Sequence, residues 1–328
     1  MRFFTFILCI VFVVNGFSQE ELDGAKASTD KKKEKPATQT YQITNDLQYV
    51  YPRPKFFNFI TGLPRNYANL AKGITKKENL KWLGLTAVTT AVLFAGDEKL
   101  LAESSSVRDI GVTEKHEYNS LFGAIDIPTN TSAAMYHLGH GNTSLIIGIG
   151  FLTVGGIKKD YRALHTSTQI VEGILTLGFM TQGLKRVFGR ESPHAKTKPR
   201  GAWHGFPGWN EYMENTSHYD AMPSGHVATL TSTIAVIARN YPEVKWIRPV
   251  GFTLIGVMGI EMMNSEVHWA SDYPLGFLIG YAVGTVVTNS KITKIEKESH
   301  SNRSKGFDTN LTFNRVDGDN LLGVRFVF

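Results

Sequence analysis

Cysteine is almost missing from this 328-residue chain: the one residue of that type is Cys9. It falls in an N-terminal stretch with the pattern of an export signal. Arg2 supplies the charge, Phe3 to Val14 the apolar run, and Gly16-Phe17-Ser18 the small residues at positions −3 and −1 before Gln19. The run is too short to span a bilayer comfortably as an uncleaved anchor. Leu8 stands where a lipid-modified cysteine would need a small neighbour, which argues against lipid attachment at Cys9. A chain cut after Ser18 has no thiol, which excludes disulfides, thiolate metal sites and cysteine nucleophiles. Charge of one sign is also scarce. The formal net charge is +6, spread through tails and loops. No basic stripe with interleaved aromatics is present, so no nucleic-acid partner is expected. Long apolar runs are few: apolar residues make up 42% of the chain, charged residues 20%, and mean hydropathy is −0.13. That is ordinary for a soluble chain and low for one that crosses a membrane many times.

The pattern divides the chain into four stretches. Residues 1–18 are the signal, and 19–78 a polar linker and loops, with Lys31-Lys32-Lys33 in a solvated segment and no clear period from 41 to 78. Residues 79–290 hold six apolar segments of helical length, about Leu80 to Gly96, Ser144 to Ile157, Thr166 to Phe188, His226 to Arg239, Trp246 to Met263 and Asp272 to Thr288. Proline is absent from their interiors. Gln169, Glu172, Thr181 and Gln182 suit the third to a buried bundle helix better than to a lipid-facing one. Residues 291–328 form a basic tail and a hairpin, in which Asp317-Gly318-Asp319-Asn320 separates two strand-like runs. The expected class is all-α: a six-helix antiparallel bundle with a short C-terminal β-hairpin. A single hairpin cannot close a membrane barrel, despite the aromatic terminus.

Three clusters lie at helix ends. Pro223-Ser224-Gly225-His226 precedes an apolar helix, with Ser224 a natural N-cap and Gly225 open to close approach by a ligand. The exposed N–H groups of that turn form an anion site, and His226 beside it can give a proton to a leaving oxygen. In His268-Trp269-Ala270-Ser271-Asp272, His and Asp are four apart on one helical face, so the carboxylate can fix the imidazole tautomer and free the other nitrogen to attack. Alone, that pair reads equally well as a core histidine beside a capping aspartate. Lys185, in Lys185-Arg186-Val187-Phe188-Gly189-Arg190-Glu191-Ser192-Pro193, closes the third helix, where the dipole favours a cation whether or not phosphate binds.

In this order the clusters resemble the type 2 phosphatidic acid phosphatase and vanadium haloperoxidase superfamily, over roughly residues 80 to 290. The resemblance implies that family's helical core and assigns roles. Lys185, Ser224 and Gly225 would cradle phosphate, His226 would be the general acid, His268 the nucleophile that becomes phospho-histidine, and Asp272 its orienting partner. No metal or cofactor is implied for a phosphatase; vanadate would enter only for a haloperoxidase. Two residues depart from the pattern. Ser192 stands where the family has Arg before Pro193, and Met262, preceded by Glu261 in place of Ser, where it has Arg six residues before His268. Loss of one preorganised donor of this kind typically costs about 10²–10³ in rate. Arg190 is the nearest substitute, with Lys196, Lys198, Arg200 and Asn264 also close in sequence. The implied function is removal of phosphate from a lipid or isoprenoid phosphate, or diphosphate, through that phospho-histidine, with a phosphorylated lipid or small phosphate ester as partner. The alternative is a weakened relative that binds phosphate without turnover.

The 29 residues between Pro193 and Pro223 carry Trp203, Phe206, Trp209, Tyr212 and Tyr219. They read as a lid over the site, its aromatics set either to touch lipid or to pack the loop's own core. His137 and His140, three apart, have no carboxylate pair nearby that would make a metal site. A cleaved signal places the mature N-terminus outside, and the basic loops fall on the side opposite the clusters. The expected location is therefore exported, periplasmic or inner-membrane-associated, with the site facing the periplasm. The segment Leu80 to Gly96 is the one expected not to cross. Substrate identity and oligomeric state leave no mark in the sequence.

Overall fold

The computed structural model describes residues 37–55, 57–121, 125–296, 308–316 and 319–327, the last two stretches as backbone. The signal segment and the Lys31-Lys33 linker lie outside the described residues. The chain is mostly helical. After a single α-helical turn at Asn58–Thr61, the helices are, in order, α1 (Leu63–Ile74), α2 (Lys77–Ser104), α3 (Thr131–His137), α4 (Gly141–Lys158), α5 (Tyr161–Phe188), α6 (Trp209–Glu214), α7 (Gly225–Asn240), α8 (Ile247–Asn264) and α9 (Tyr273–Asn289). The six expected segments fall on α2, α4, α5, α7, α8 and α9; the last three start within a residue of expectation, whereas α2, α4 and α5 start three to five residues earlier. Asp160 caps α5 by accepting from the Ala163 N–H, and Ser224 caps α7 by accepting from Val227.

Three strand pairings make a plain all-α description too narrow. Strands β1 (Thr38–Thr44), β2 (Leu47–Pro52) and β5 (Thr293–Glu296) form one antiparallel sheet in the order β1-β2-β5, and β3 (Tyr118–Leu121) pairs with β4 (Ile125–Pro128). The stretch from 41 to 78, expected to be loops with short helices, thus holds strand as well as α1. Its signal was a period of two. Tyr41, Ile43, Leu47, Tyr49 and Tyr51 gather one sheet face onto Tyr161 of α5. The polar ends of those aromatics are also satisfied. The Tyr41 hydroxyl donates to Asp160 at 2.6 Å, and that of Tyr51 to Asn240 Oδ1 at 3.0 Å. The expected C-terminal hairpin is present as β6 (Asp308–Val316) paired with β7 (Asp319–Val327).

The helical core does not follow the expected antiparallel rule throughout. Neighbours in the chain do run antiparallel. Gly148 and Gly155 of α4 face Ile170 and Leu164 of α5, while Gly173 of α5 faces Ser232 of α7. Helices α7 and α9, however, are parallel. Gly276, Gly280 and Gly284 abut the backbone of Ser224, Ala228 and Ser232 in constant register. A Cβ added at these three glycines would meet backbone oxygens at 2.6, 2.3 and 2.8 Å. Only a stripe of residues without side chains lets the two backbones approach so closely. The result matters for function, because parallel packing brings both N-termini to one end of the molecule. Around this pair the core is built from Ile170, Leu177, Val236, Ile279, Val283 and Val287 on one side and Val227, Leu230, Met258 and Met262 on the other. Gln169, Glu172 and Thr181 of α5 are buried, as a bundle helix requires, with Asn66 donating to Glu172 at 2.7 Å and Asn240 to Gln169 at 2.6 Å.

Among the described residues no single helix is long and apolar enough to cross a membrane. One pair, α3 with α4, passes that test jointly but bends by 69° between them. Large apolar side chains nevertheless face outward, including Leu80, Trp82, Leu85, Val88 and Val92 of α2 and Ile146, Leu152, Val154 and Ile157 of α4.

The glycine stripe makes a direct prediction. Gly280→Ala must displace a main-chain carbonyl rather than a flexible side chain, so it should destabilise the fold by about 1–3 kcal/mol. An unchanged unfolding midpoint in urea would show that α7 and α9 do not pack this closely.

Candidate active site

The C-terminal turn of α5 carries Lys185, which is buried. Its Nζ lies 3.3 Å from Asp220 Oδ2, and 3.9 Å from where a Cβ would stand at Gly225. The lysine is therefore against the first turn of α7. There Ser224 is fully buried, and its own N–H donates to the Asp272 carbonyl at 3.1 Å, which joins the starts of α7 and α9. Gly225 stays bare beside the lysine. Backbone N–H groups, the positive end of a helix dipole and an ammonium group thus converge on one point, as an anion requires.

Two imidazoles flank this point. The rings of His226 and His268 lie 6.0 Å apart, centre to centre, at 72°. Burial pushes the His226 pKa well below the usual histidine value, and the fields of His268, Lys185, His140 and His116 push it the same way. The ring of Tyr136 packs against His226 at 4.5 Å and stacks on His116 at 4.2 Å. His268 is 3% exposed, and its Nδ1 is 3.5 Å from Asp272 Oδ2. That is an ion-pair approach and not a hydrogen bond, and Nδ1 has no hydrogen-bond partner. Asp272 Oδ2 instead accepts from the Trp269 N–H at 2.8 Å. The expected orienting bond between Asp272 and His268 is therefore not made in this state.

Arg190, the expected substitute for the missing arginines, is committed elsewhere. Its Nη1 donates to Asp272 Oδ1 at 2.6 Å and to the Ser271 hydroxyl at 2.7 Å. Its Nη2 donates to Asp97 Oδ2 at 2.7 Å and to the Arg200 carbonyl at 2.9 Å, and Nε donates to that carbonyl at 3.3 Å. All five donors of the guanidinium are used. The group is fully buried among Phe94, Trp203 and Trp269, each about 5 Å from its centre. Arg190 thus shapes the site from behind and has no donor left for phosphate. Two of the other substitutes are also occupied. Asn264 donates to the Thr113 carbonyl and accepts from Arg108 Nε, and Lys196 pairs with Glu98 at 2.6 Å. Ser192 is buried with its N–H on the Ser217 carbonyl, and Met262 is packed in the apolar cluster of Val227, Leu230 and Met258. The two positions that lost arginine are thus parts of the packed interior.

Glu191 is fully enclosed. Burial works against its charge, but the N–H groups of Thr197 and Ala202, the His204 ring and the Thr197 hydroxyl together hold its pKa down to about 2. The loop that follows divides its aromatics. Tyr212 and Tyr219 are buried and stack at 6.2 Å, whereas Phe206 and Trp209 face outward. His137 and His140 stack at 5.0 Å, and no group of three or more metal-ligating residues occurs among the described residues.

Three contributors escaped the sequence reading. Asp97 on α2 binds Arg190 and accepts from the Ser271 N–H at 3.0 Å and from its hydroxyl at 2.6 Å. Its signal was an acidic pair, Asp97-Glu98, at the end of an apolar segment. Glu261, fully buried, accepts from the Ser132 hydroxyl at 2.7 Å and sits 2.8 Å from His116 Nε2. Asp220, beside Lys185, had no local signal.

With this geometry in place, the comparisons are informative. Residues 166–296, which hold all three clusters, match the family model of the PAP2 superfamily, so the resemblance read from the motifs holds over that segment. No curated protein matches the chain. Among solved structures, the first transmembrane PAP2-type phosphatidylglycerolphosphate phosphatase from Bacillus subtilis aligns over 72% of this chain and 96% of its own. It does so with 16% identity and a TM-score of 0.35, a likeness too slight to carry function.

Two stability effects should follow. Arg190→Met would leave Asp97 and Asp272 buried without their cation, and should cost about 3–5 kcal/mol by chemical unfolding. A loss under about 1 kcal/mol would mean that the arginine is not the tie it looks to be. Glu191 has a folded pKa of about 2 against an ordinary 4.5, so its contribution is complete above about pH 4.5 and is lost as pH falls towards 2. The stability gap between wild type and Glu191→Gln should therefore close across that window; a constant gap would refute the assignment.

Proposed function

We propose that this chain is a phosphohydrolase that removes phosphate from a lipid or isoprenoid phosphate through a phospho-histidine on His268. The observation that carries the reading is the convergence of Lys185, the bare first turn of α7 and two imidazoles at one end of a parallel helix pair. The phosphoryl group would sit on Lys185 Nζ and the N–H groups of α7. His268 attacks phosphorus through Nε2, the bond to the leaving oxygen breaks, and His226 delivers the proton that this oxygen needs. Positive charge builds on the attacking ring, and the 3.5 Å gap from Nδ1 to Asp272 then closes to a hydrogen bond, as catalytic contacts that are long in the free state often do. In the second step His226 takes a proton from water, water attacks the phosphorus, and His268 leaves as neutral imidazole. No step requires a metal ion or an organic cofactor.

The lipid part of the proposal rests on apolar surface. A groove of about 560 Å³ runs between α2 and α9, lined by Leu83, Ala87, Phe94, Met222, Leu275 and Leu278 and ending at Arg190 and Ser271, next to Asp272. The outward apolar residues of α2 and α4, with Phe206 and Trp209 on the loop, supply a surface that fits a membrane. We place the protein at a membrane, exported, with the site on the periplasmic side. A second reading, a relative that binds phosphate without turnover, is favoured by the saturated Arg190 and the buried Ser192 and Met262.

Phosphate release from lipid and soluble phosphate esters, without added metal, separates the two. Wild type should release phosphate, and His268→Ala should reduce it to background. Absence of release by a folded wild-type protein would favour the binding relative. The lowered His226 pKa gives a pH signature. The ring must be protonated to act as acid, so kcat/KM should rise as pH falls from 8 towards 5. His226→Asn should lose about 10²–10⁴ in rate on esters with poor leaving groups, and the rise with it. A flat profile in the wild type would remove His226 from that role.

A further inference from the structure

Asp220 is placed against the one cation of the proposed phosphate cradle, and a site for a phosphoryl group has no evident use for a carboxylate there. Its Oδ2 is 3.3 Å from Lys185 Nζ, and the side chain is 28% exposed. The main chain around it is fixed. The following residue, Ala221, donates its N–H to the Arg190 carbonyl at 3.0 Å, and Asp220 itself bridges to Arg190. Lys185 of α5 is its charged neighbour, and its field reaches the neutral hydroxyls of Tyr136 on α3 and Tyr212 on α6. An anion bound by Lys185 and the first turn of α7 brings an oxygen up to this carboxylate. Two bare oxygens there repel, because a carboxylate only accepts hydrogen bonds. An oxygen that still carries its proton donates one instead.

We infer that Asp220 makes the site selective for a phosphoryl group bearing a P–OH. That class comprises a phosphomonoester, or the terminal phosphate of a diphosphate, in its singly protonated form. Sulfate, sulfate esters and phosphodiesters, which have no proton to offer, are rejected by the same contact. The inference rests on reading the site as a phosphate cradle, but it does not depend on turnover. It also accounts for a site with so few cations. Here the protonated ligand brings less negative charge than a dianion, and hydrogen bonding to Asp220 replaces part of what arginine would supply.

The test is competitive binding of inorganic phosphate and sulfate to the full-length protein at one pH near 6.5, read by calorimetry. Both common forms of inorganic phosphate carry a P–OH at that pH, and sulfate carries none. Wild type should hold phosphate about ten-fold or more tighter than sulfate. Asp220→Asn, whose amide can donate to sulfate, should bring the two within about three-fold, mainly by strengthening sulfate. Equal binding of both anions by wild type, binding of neither, or an unchanged ratio in a folded Asn variant would overturn the inference. The wild-type ratio stands as a test even if the variant does not fold. A preference for phosphate in a protein that releases none would refute the catalytic reading and leave this one intact.

Discussion

The structure depends on one guanidinium. Arg190 lies between two buried carboxylates, Asp97 from α2 and Asp272 at the entry to α9, and both contacts are short and fully desolvated. Removing charge from water is expensive, and an isolated arginine would not remain there. Two carboxylates, a hydroxyl, a carbonyl and three aromatic faces leave none of its donors unpaired. The group ties the first apolar helix, the turn after α5 and the turn before α9 at one place. Asp272 cannot move far while Arg190 holds Oδ1 and the Trp269 N–H holds Oδ2. The Nδ1 of His268, four residues earlier, faces this fixed carboxylate at 3.5 Å.

The second constraint is the glycine stripe of α9. Helix dipoles side by side and parallel repel, and a bundle usually avoids them by alternating direction. Here the close fit of Gly276, Gly280 and Gly284 onto α7 offsets that cost and leaves two helix starts, with their free N–H groups, at the same pole. Ser224 and Asp272 satisfy some of those groups mutually through the bond from the Ser224 N–H to the Asp272 carbonyl. Gly225, in the first turn of α7, lies beside Lys185. A site that must hold negative charge without arginine clamps gains most from such an arrangement, since backbone dipoles need no counter-ion of their own.

Much of this was legible in sequence, and what was not has a common cause. The helices announced themselves through length and polar punctuation, and the cap at Ser224 through residue type; the cap at Asp160 was not read. Lys185, Ser224, Gly225, His226, His268 and Asp272 stood out because each lies in a short motif, and the structure brings them to one pole. Arg190 was singled out for the wrong task. Sequence distance put it near the missing arginine, but only space could show Asp97 and Asp272 on either side of it. Asp97, Glu261 and Asp220 were missed for the same reason, since each acts on a partner from another part of the chain. The β1-β2-β5 sheet was overlooked although Tyr41, Ile43, Leu47, Tyr49 and Tyr51 alternate. Its third strand comes from the far end of the chain, and two short strands alone make no sheet.

The two positions that depart from the family pattern both lie in the packed interior. Ser192 and Met262 are buried in packed surroundings, where a guanidinium would need new partners. Glu261, beside Met262, is fully buried and already shared by His116 and Ser132, so this corner is organised around an acid and a histidine. An arginine at 262 would bring a charge into the apolar cluster of Val227, Leu230 and Met258, whose side chains offer nothing to pair with it. The lost arginines are therefore part of a rebuilt wall. Its acidic groups, Glu261 behind His226 and Asp220 beside Lys185, lower the positive potential that a fully ionised phosphate would need. On the reading proposed above, what the wall keeps is a place for one phosphoryl group between two imidazoles, with fewer charges to hold it.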